Sequence, residues 1–228
     1  MDSTDPENSK ILYILPLTCI FLIPTLHRTV MPERFVEHYG GGTWFKSAFL
    51  HTFTFLALSF LLVNPPFGDI AAPELASKWT VVTDDGEDIT YPHAMATSSS
   101  TLTWYTDGSP ILAGEAWLLF GLMDNVNSDG AIVEVTREYQ ANETTREDNL
   151  SYWTTNAERI ANGTSLSNKS IPNLTPHGDL DQPFSVYLGS DLEEGTHEIV
   201  VRITEQGDPW ENKQVYRWNL VVTSESKV

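Results

Sequence analysis

One cysteine in 228 residues, Cys19, rules out an intramolecular disulfide and any zinc site built on paired thiols. Basic side chains are scarce as well, with 13 Lys and Arg against 31 Asp and Glu, for a formal net charge of −18. Nucleic-acid binding depends on cations that displace phosphate counterions, so this balance excludes it. Residues 1–64 hold only five acidic and four basic residues, so nearly all the negative charge lies beyond them. No His-x-x-x-His pair, Gly-x-Ser-x-Gly elbow or Walker-type lysine occurs. Gly40-Gly41-Gly42 follows no strand and precedes no Lys-Ser/Thr pair, so it reads as a flexible turn before a helix opened by Thr43 and anchored by Trp44 and Lys46.

What the N-terminal part does contain is apolar sequence. One run covers Ile11–Leu26 and a second extends from about Trp44 to Val63. A spanning helix needs about 20 mostly apolar residues, with a lower limit near 17. Met1–Lys10 carries three acids and one lysine, the wrong charge for a signal peptide, and no small-x-small cleavage site follows Leu26. The expectation is a transmembrane helical hairpin over residues 1–64 with a short loop at 27–43. Arg28, Arg34 and Lys46 place that loop in the cytoplasm, and both termini outside, by the positive-inside rule. Pro32–Tyr39 fits two amphipathic turns within the loop. Ser47, His51 and Thr54 share a helical spacing and are expected to contact another membrane helix.

Beyond Asn64-Pro65-Pro66 the periodicity changes to two. Phe184, Val186 and Leu188 alternate with Ser185 and Tyr187. His197, Ile199, Val201 and Ile203 form a second such set, and Tyr216, Trp218, Leu220 and Val222 a third. Ala131, Val133 and Val135 form a fourth, and further strands fit near Trp79–Val82, Leu102–Thr106 and Ala116–Met123. Six or seven short strands, each with one buried face, predict an antiparallel β-sandwich over 101–228, joined to the membrane by a segment at 65–100.

Gly114–Gly130, followed by Ala-Ile-Val-Glu-Val, resembles the B–C strand pair of immunoglobulin-like domains in archaeal and bacterial surface proteins. The cell-adhesion-related and polycystic-kidney-disease-type repeats are the nearest types. Leu192-Glu-Glu-Gly195-Thr-His197 is similar to their entry into strand F, with His197 where tyrosine is commoner, and Val215–Thr223 would be strand G. The resemblance implies an immunoglobulin-like fold and a place on the cell surface; it implies no activity. A cysteine-free exterior domain points to the same kind of surface.

A polar insertion, residues 140–182, separates the two halves. It holds five Asn-x-Ser/Thr sequons, at Asn142, Asn149, Asn162, Asn168 and Asn173, which make it a candidate for glycosylation; the plainer reading is a Ser/Thr/Asn-rich solvated loop. Asn125-x-Asn127-x-Asp129-Gly130, with Asp124 before it, partly mimics a calcium loop, although Thr136 stands where a bidentate glutamate belongs. No other cofactor is expected. Asp84-Asp85-Gly86-Glu87-Asp88 reads as a hairpin turn. Trp117 and Trp218 fall in strands and are expected in the core, which leaves Trp153 and Trp210 as candidate ligand platforms. The sequence thus predicts a non-catalytic, membrane-anchored surface protein whose acidic domain meets proteins or glycan. An accessory subunit capping a larger membrane complex is the alternative, and a surface hydrolase comes third.

Overall fold

The computed structural model describes residues 18–62, 68–124, 130–167, 169–207 and 210–227. They divide into two units, one of residues 1–70 with 208–210 and one of 71–207 with 211–228.

From Thr18 to Leu62 the first unit is mainly helical. A 3-10 turn at Cys19–Leu22 leads into α1 (Ile23–Val30), then the single turn α2 (Glu33–Val36) and the long α3 (Gly41–Leu62). The expected pair of spanning helices is corrected here. Among the described residues α3 alone is long and apolar enough to cross a membrane. Its 22 residues rise about 33 Å, whereas the eight of α1 rise about 12 Å. Pro24 sits in the first turn of α1, where its missing N–H costs nothing. Thr18 and the 3-10 turn lead helically into α1, which continues to Val30, inside the segment expected to be a loop. Residues 11–17 of the first apolar run lie outside the described residues.

The glycine run is also helical at its end. The Gly40 carbonyl accepts from both the Thr43 and Trp44 N–H groups, which starts the α3 ladder at Gly41. Trp44 then packs edge-on to Tyr39 at 5.2 Å and against His27 at 5.7 Å, with the Arg28 guanidinium 6.0 Å from its ring centre. Trp44, Ser47, Ala48, His51, Thr52, Phe55 and Ser59 are half-buried and recur at helical spacing. Thr52 lies on this face and donates to the Ala48 carbonyl, whereas Thr54 is exposed.

The second unit is two sheets packed as a sandwich. Its strands are β1 (Glu74–Asp84), β2 (Ile89–Tyr91), β3 (Thr101–Tyr105), β4 (Ile111–Met123), β5 (Ile132–Tyr139), β6 (Asn142–Glu147), β7 (Thr164–Ser165), β8 (Gln182–Glu193), β9 (Gly195–Gln206) and β10 (Glu211–Thr223). One sheet has the order β7-β2-β1-β4-β8 and the other β3-β10-β9-β5-β6. The segment before residue 101 thus supplies two strands of the first sheet. The alternating residues meet where their period put them: Phe184, Val186 and Leu188 face Val133, Ile199, Val201, Trp218 and Leu220 in one buried core. Trp79 stacks on Trp218 at its centre, 4.6 Å between rings. The β1–β2 turn forms as expected, with Gly86 at φ +94° and the Asp85 carboxylate accepting from the Glu87 and Asp88 N–H groups.

The insertion is not a solvated loop. After β6 it forms α4 (Leu150–Thr155) and α5 (Ala157–Ala161), and it covers the outer face of the first sheet. Tyr152, Ile160 and Leu174 pack there on Val82, Ile89, Tyr91, Trp117 and Leu119 as a second core. The cause lies in β4, where Ala116–Leu122 is apolar at every position and buried throughout. A strand without a polar face needs cover on both sides.

Candidate functional site

Three groups of buried polar side chains in the sandwich have different work to do. The first ties down the insertion. Asp84, buried at the end of β1, takes a two-pronged contact from Arg159, with Nη2 to Oδ1 at 2.5 Å and Nη1 to Oδ2 at 3.1 Å. Tyr152 Oη donates to Oδ2 at 2.9 Å and the Gly86 N–H to Oδ1 at 2.8 Å. The Tyr152 ring lies flat on Trp117, 3.7 Å between centres. Burial pushes the Asp84 carboxyl up, but the bonds from Arg159, Gly86 and Tyr152, with the guanidinium charge, hold it below the usual carboxylate range. Nearby, the Asp148 carboxylate accepts from the Ser185 N–H at 2.7 Å and joins the insertion to β8. Burial outweighs its backbone bonds and raises it to about 6.

The second group is His197, at the start of β9 and fully buried. Its Nε2–H donates to the Glu193 carbonyl at 2.8 Å, and Nδ1 lies 3.1 Å from Arg137 Nη1. A guanidinium only donates, so Nδ1 accepts and the ring is neutral with its proton on Nε2. Burial lowers its pKa, and the Arg137 charge adds to that against the Glu193 bond. The ring stacks on Tyr139 at 4.3 Å.

The third group surrounds a cavity of about 440 Å³ lined by Ala71, Ala72, Glu74, Met123, Asp124, His177, Leu180 and Asp181. It forms where β1 begins, β4 ends and β8 begins, since Glu74 pairs with Met123 and Leu122 with Gln182. Asp181 is buried. Its Oδ2 accepts the His177 backbone N–H at 2.8 Å and lies 3.2 Å from His177 Nδ1, while Oδ1 is buried without a hydrogen-bond partner. On the core side of β4, Asp124 brings a carboxylate oxygen within 4.8 Å of one on buried Glu205. Glu205 pairs across the hairpin with Asn212, whose amide donates to the Ala71 carbonyl at 2.7 Å. Carboxylate oxygens are donors of the kind that hard cations take, and paired carboxylates are also the groups that glycosyl hydrolysis uses.

Of the residues expected in a calcium loop, Asp124 lines this cavity, and Asn125, Asn127 and Asp129 lie outside the described residues. Asp181, Glu74 and Glu205 were not singled out in the sequence, where an acid reads as surface charge by default. Asn142, Asn149, Asn162 and Asn173 are all exposed, and Asn168 is outside the described residues. Trp153 is partly buried against the second core, and Trp210 is half-buried just before β10. Ser47 and His51 share the half-buried face of α3.

No protein-family model matches the chain, and no curated protein matches it.

Proposed function

We propose that the chain is a non-catalytic, membrane-anchored surface protein whose acidic sandwich meets other membrane or surface proteins, or their glycans. The observation that carries this reading is α3. Phe45, Phe49, Phe53 and Phe60 are each more than 60% exposed on a helix long enough to span a bilayer. Such a surface is stable in lipid and not in water. Arg28, Arg34 and Lys46 lie at or before the N-terminal end of α3, so that end faces the cytoplasm and the sandwich stands outside.

An immunoglobulin-like type is supported by three features of the sandwich. β4 and β5 lie in opposite sheets as strands B and C would, β9 and β10 pair as F and G, and β3 runs parallel to β10. His197 does the work of the tyrosine found at this corner in such domains, bonding back to a carbonyl four residues upstream. The four exposed sequon asparagines support glycosylation of the insertion. Glycopeptide mass spectrometry on protein from its own host should find sugar on at least one, and bare asparagine at every sequon would refute it.

The half-buried polar stripe of α3 favours a second reading, an accessory subunit that docks on other membrane helices. Gentle solubilisation from native membranes, with identification of what co-migrates, separates the two. Stoichiometric membrane partners would establish the subunit, and a lone monomer or homo-oligomer would favour the surface module. A purified protein that stays in solution without detergent or lipid would overturn both.

A further inference from the structure

The sequon Asn142-Glu143-Thr144 begins immediately after the turn of the β5–β6 hairpin. Gln140 and Ala141, at φ +48° and +63°, form the turn, and Tyr139 stands directly opposite Asn142 across it. Opposite residues of an antiparallel pair project from one face, with their Cβ atoms about 5 Å apart. Both border a cavity of about 320 Å³, the size of a small-ligand site. The Tyr139 ring is fixed there: its hydroxyl donates to the Glu194 carbonyl at 2.8 Å and accepts from the Gln140 amide at 2.8 Å, and the ring stacks on His197. The Asn142 amide is exposed and makes no side-chain hydrogen bond among the described residues. The Arg137 guanidinium and the Asp191 and Glu193 carboxylates complete the polar part of the wall. These charges offset one another, so the wall selects neither an anion nor a metal. Donors and acceptors side by side around one aromatic ring suit a neutral, polyhydroxylated ligand.

We infer that the first sugar linked to Asn142 folds back into this cavity against Tyr139 and fastens the β5–β6 hairpin to the end of β8. The inference rests on glycosylation of the insertion and adds which sequon matters to the fold and where its sugar lies. The linkage forms when the Asn142 amide nitrogen, losing one proton, displaces the carrier phosphate from the anomeric carbon of a lipid-linked sugar donor supplied by the host. The sugar then has Arg137 to accept from, Asp191 and Glu193 to donate to, and the Tyr139 ring for its C–H side. β6 is the outermost strand of its sheet and buries no residue of its own, so a tether at its first residue acts where the sandwich has least to hold it.

The experiment uses the full chain purified in detergent from its own host. Glycopeptide mass spectrometry should find sugar on Asn142. Asn142→Gln should lower Tm by about 2–4 °C, whereas Asn162→Gln, at an exposed sequon outside this cavity wall, should melt within about 1 °C of the parent. In a Tyr139→Val background the further change Asn142→Gln should shift Tm by less than about 1 °C, because the ring it acts through is gone. If Tyr139→Val does not fold, nuclear Overhauser contacts between the sugar and the Tyr139 ring in the parent replace that comparison, and their absence overturns the inference. Four results overturn it while leaving glycosylation of the insertion standing: sugar at other sequons with Asn142 bare, a parent-like melt of Asn142→Gln, an equal loss in Asn162→Gln, or the full loss persisting in Tyr139→Val. Bare asparagine at every sequon refutes glycosylation itself, and the inference with it.

Discussion

Replacing Arg159 by methionine keeps most of the side-chain stem and removes the only guanidinium on Asp84 among the described contacts. The carboxylate then keeps Tyr152 and the Gly86 N–H but loses its counter-charge, at a site where its own side chain is 7% exposed. Stripping one partner from a fully buried pair costs about 3–5 kcal/mol. The Arg159 side chain is 32% exposed, so solvent already screens part of the attraction, and about 2 kcal/mol is the reasoned loss. In a unit of this size that lowers Tm by about 4–8 °C. Tyr152→Phe removes one hydrogen bond to a charged group, about 1.5 kcal/mol, and the double variant should deviate from additivity because both bonds end on one carboxylate. Thermal unfolding of the full chain in detergent, read by near-ultraviolet circular dichroism of the Trp117–Tyr152 stack, gives the magnitude. Limited trypsin cleavage at Lys169 gives the location, because the insertion should open before the sheets do. A variant that melts within about 1 °C of the parent, with unchanged cleavage at Lys169, refutes the latch.

The folded pKa of Asp148, about 6, lies above its ordinary value of 3.8, so protonation favours the fold. Its contribution is complete below pH 3.8 and is lost as pH rises through about 6. Asp148→Asn, whose amide oxygen still accepts from Ser185, should flatten stability between those limits and stabilise the protein by about 1 kcal/mol at pH 7, after discounting for partial exposure. Denaturant titrations at several pH values check this, and an unchanged slope would count against it. Gly121→Ala should cost about 2–3 kcal/mol, because a Cβ there would stand 2.3 Å from the Leu174 carbonyl oxygen. Gly130→Ala, with nothing within 4 Å, should cost little in the same melt, and equal losses would show that the close approach is not the cause.

The parts of this fold legible in the sequence are those where one face of a strand is wet. β9 carries Glu198, Arg202 and Thr204 between inward-facing residues, and that contrast fixes both the element and its register to the core. β6 gave no such contrast, since Asn142–Glu147 is polar throughout and no position is buried. It forms because Gln140 and Ala141 both take positive φ and turn β5 back on itself, and neither residue type advertises that turn. Asp181 was illegible for a related reason: its burial comes from the chain turning at His177, a tertiary fact that leaves no local pattern.

The second core shows how a signal can be present and misassigned. Ala116–Leu122 reads simply as a strong strand, yet its unbroken apolarity already states that something must lie on its outer face. The polar insertion is the segment that supplies the cover, through Tyr152, Ile160 and Leu174 spaced too widely to show a period. Helices of six and five residues have no stability of their own, so they exist only while docked on the sheet. That dependence gives the charged contact of Asp84 with Arg159 its role beside an otherwise apolar patch. Apolar contact alone would hold the insertion in several registers, whereas one bidentate pair beside the Trp117–Tyr152 stack admits one. The same docking turns Asn149, Asn162 and Asn173 outward, so sugar added there would leave the packed face undisturbed.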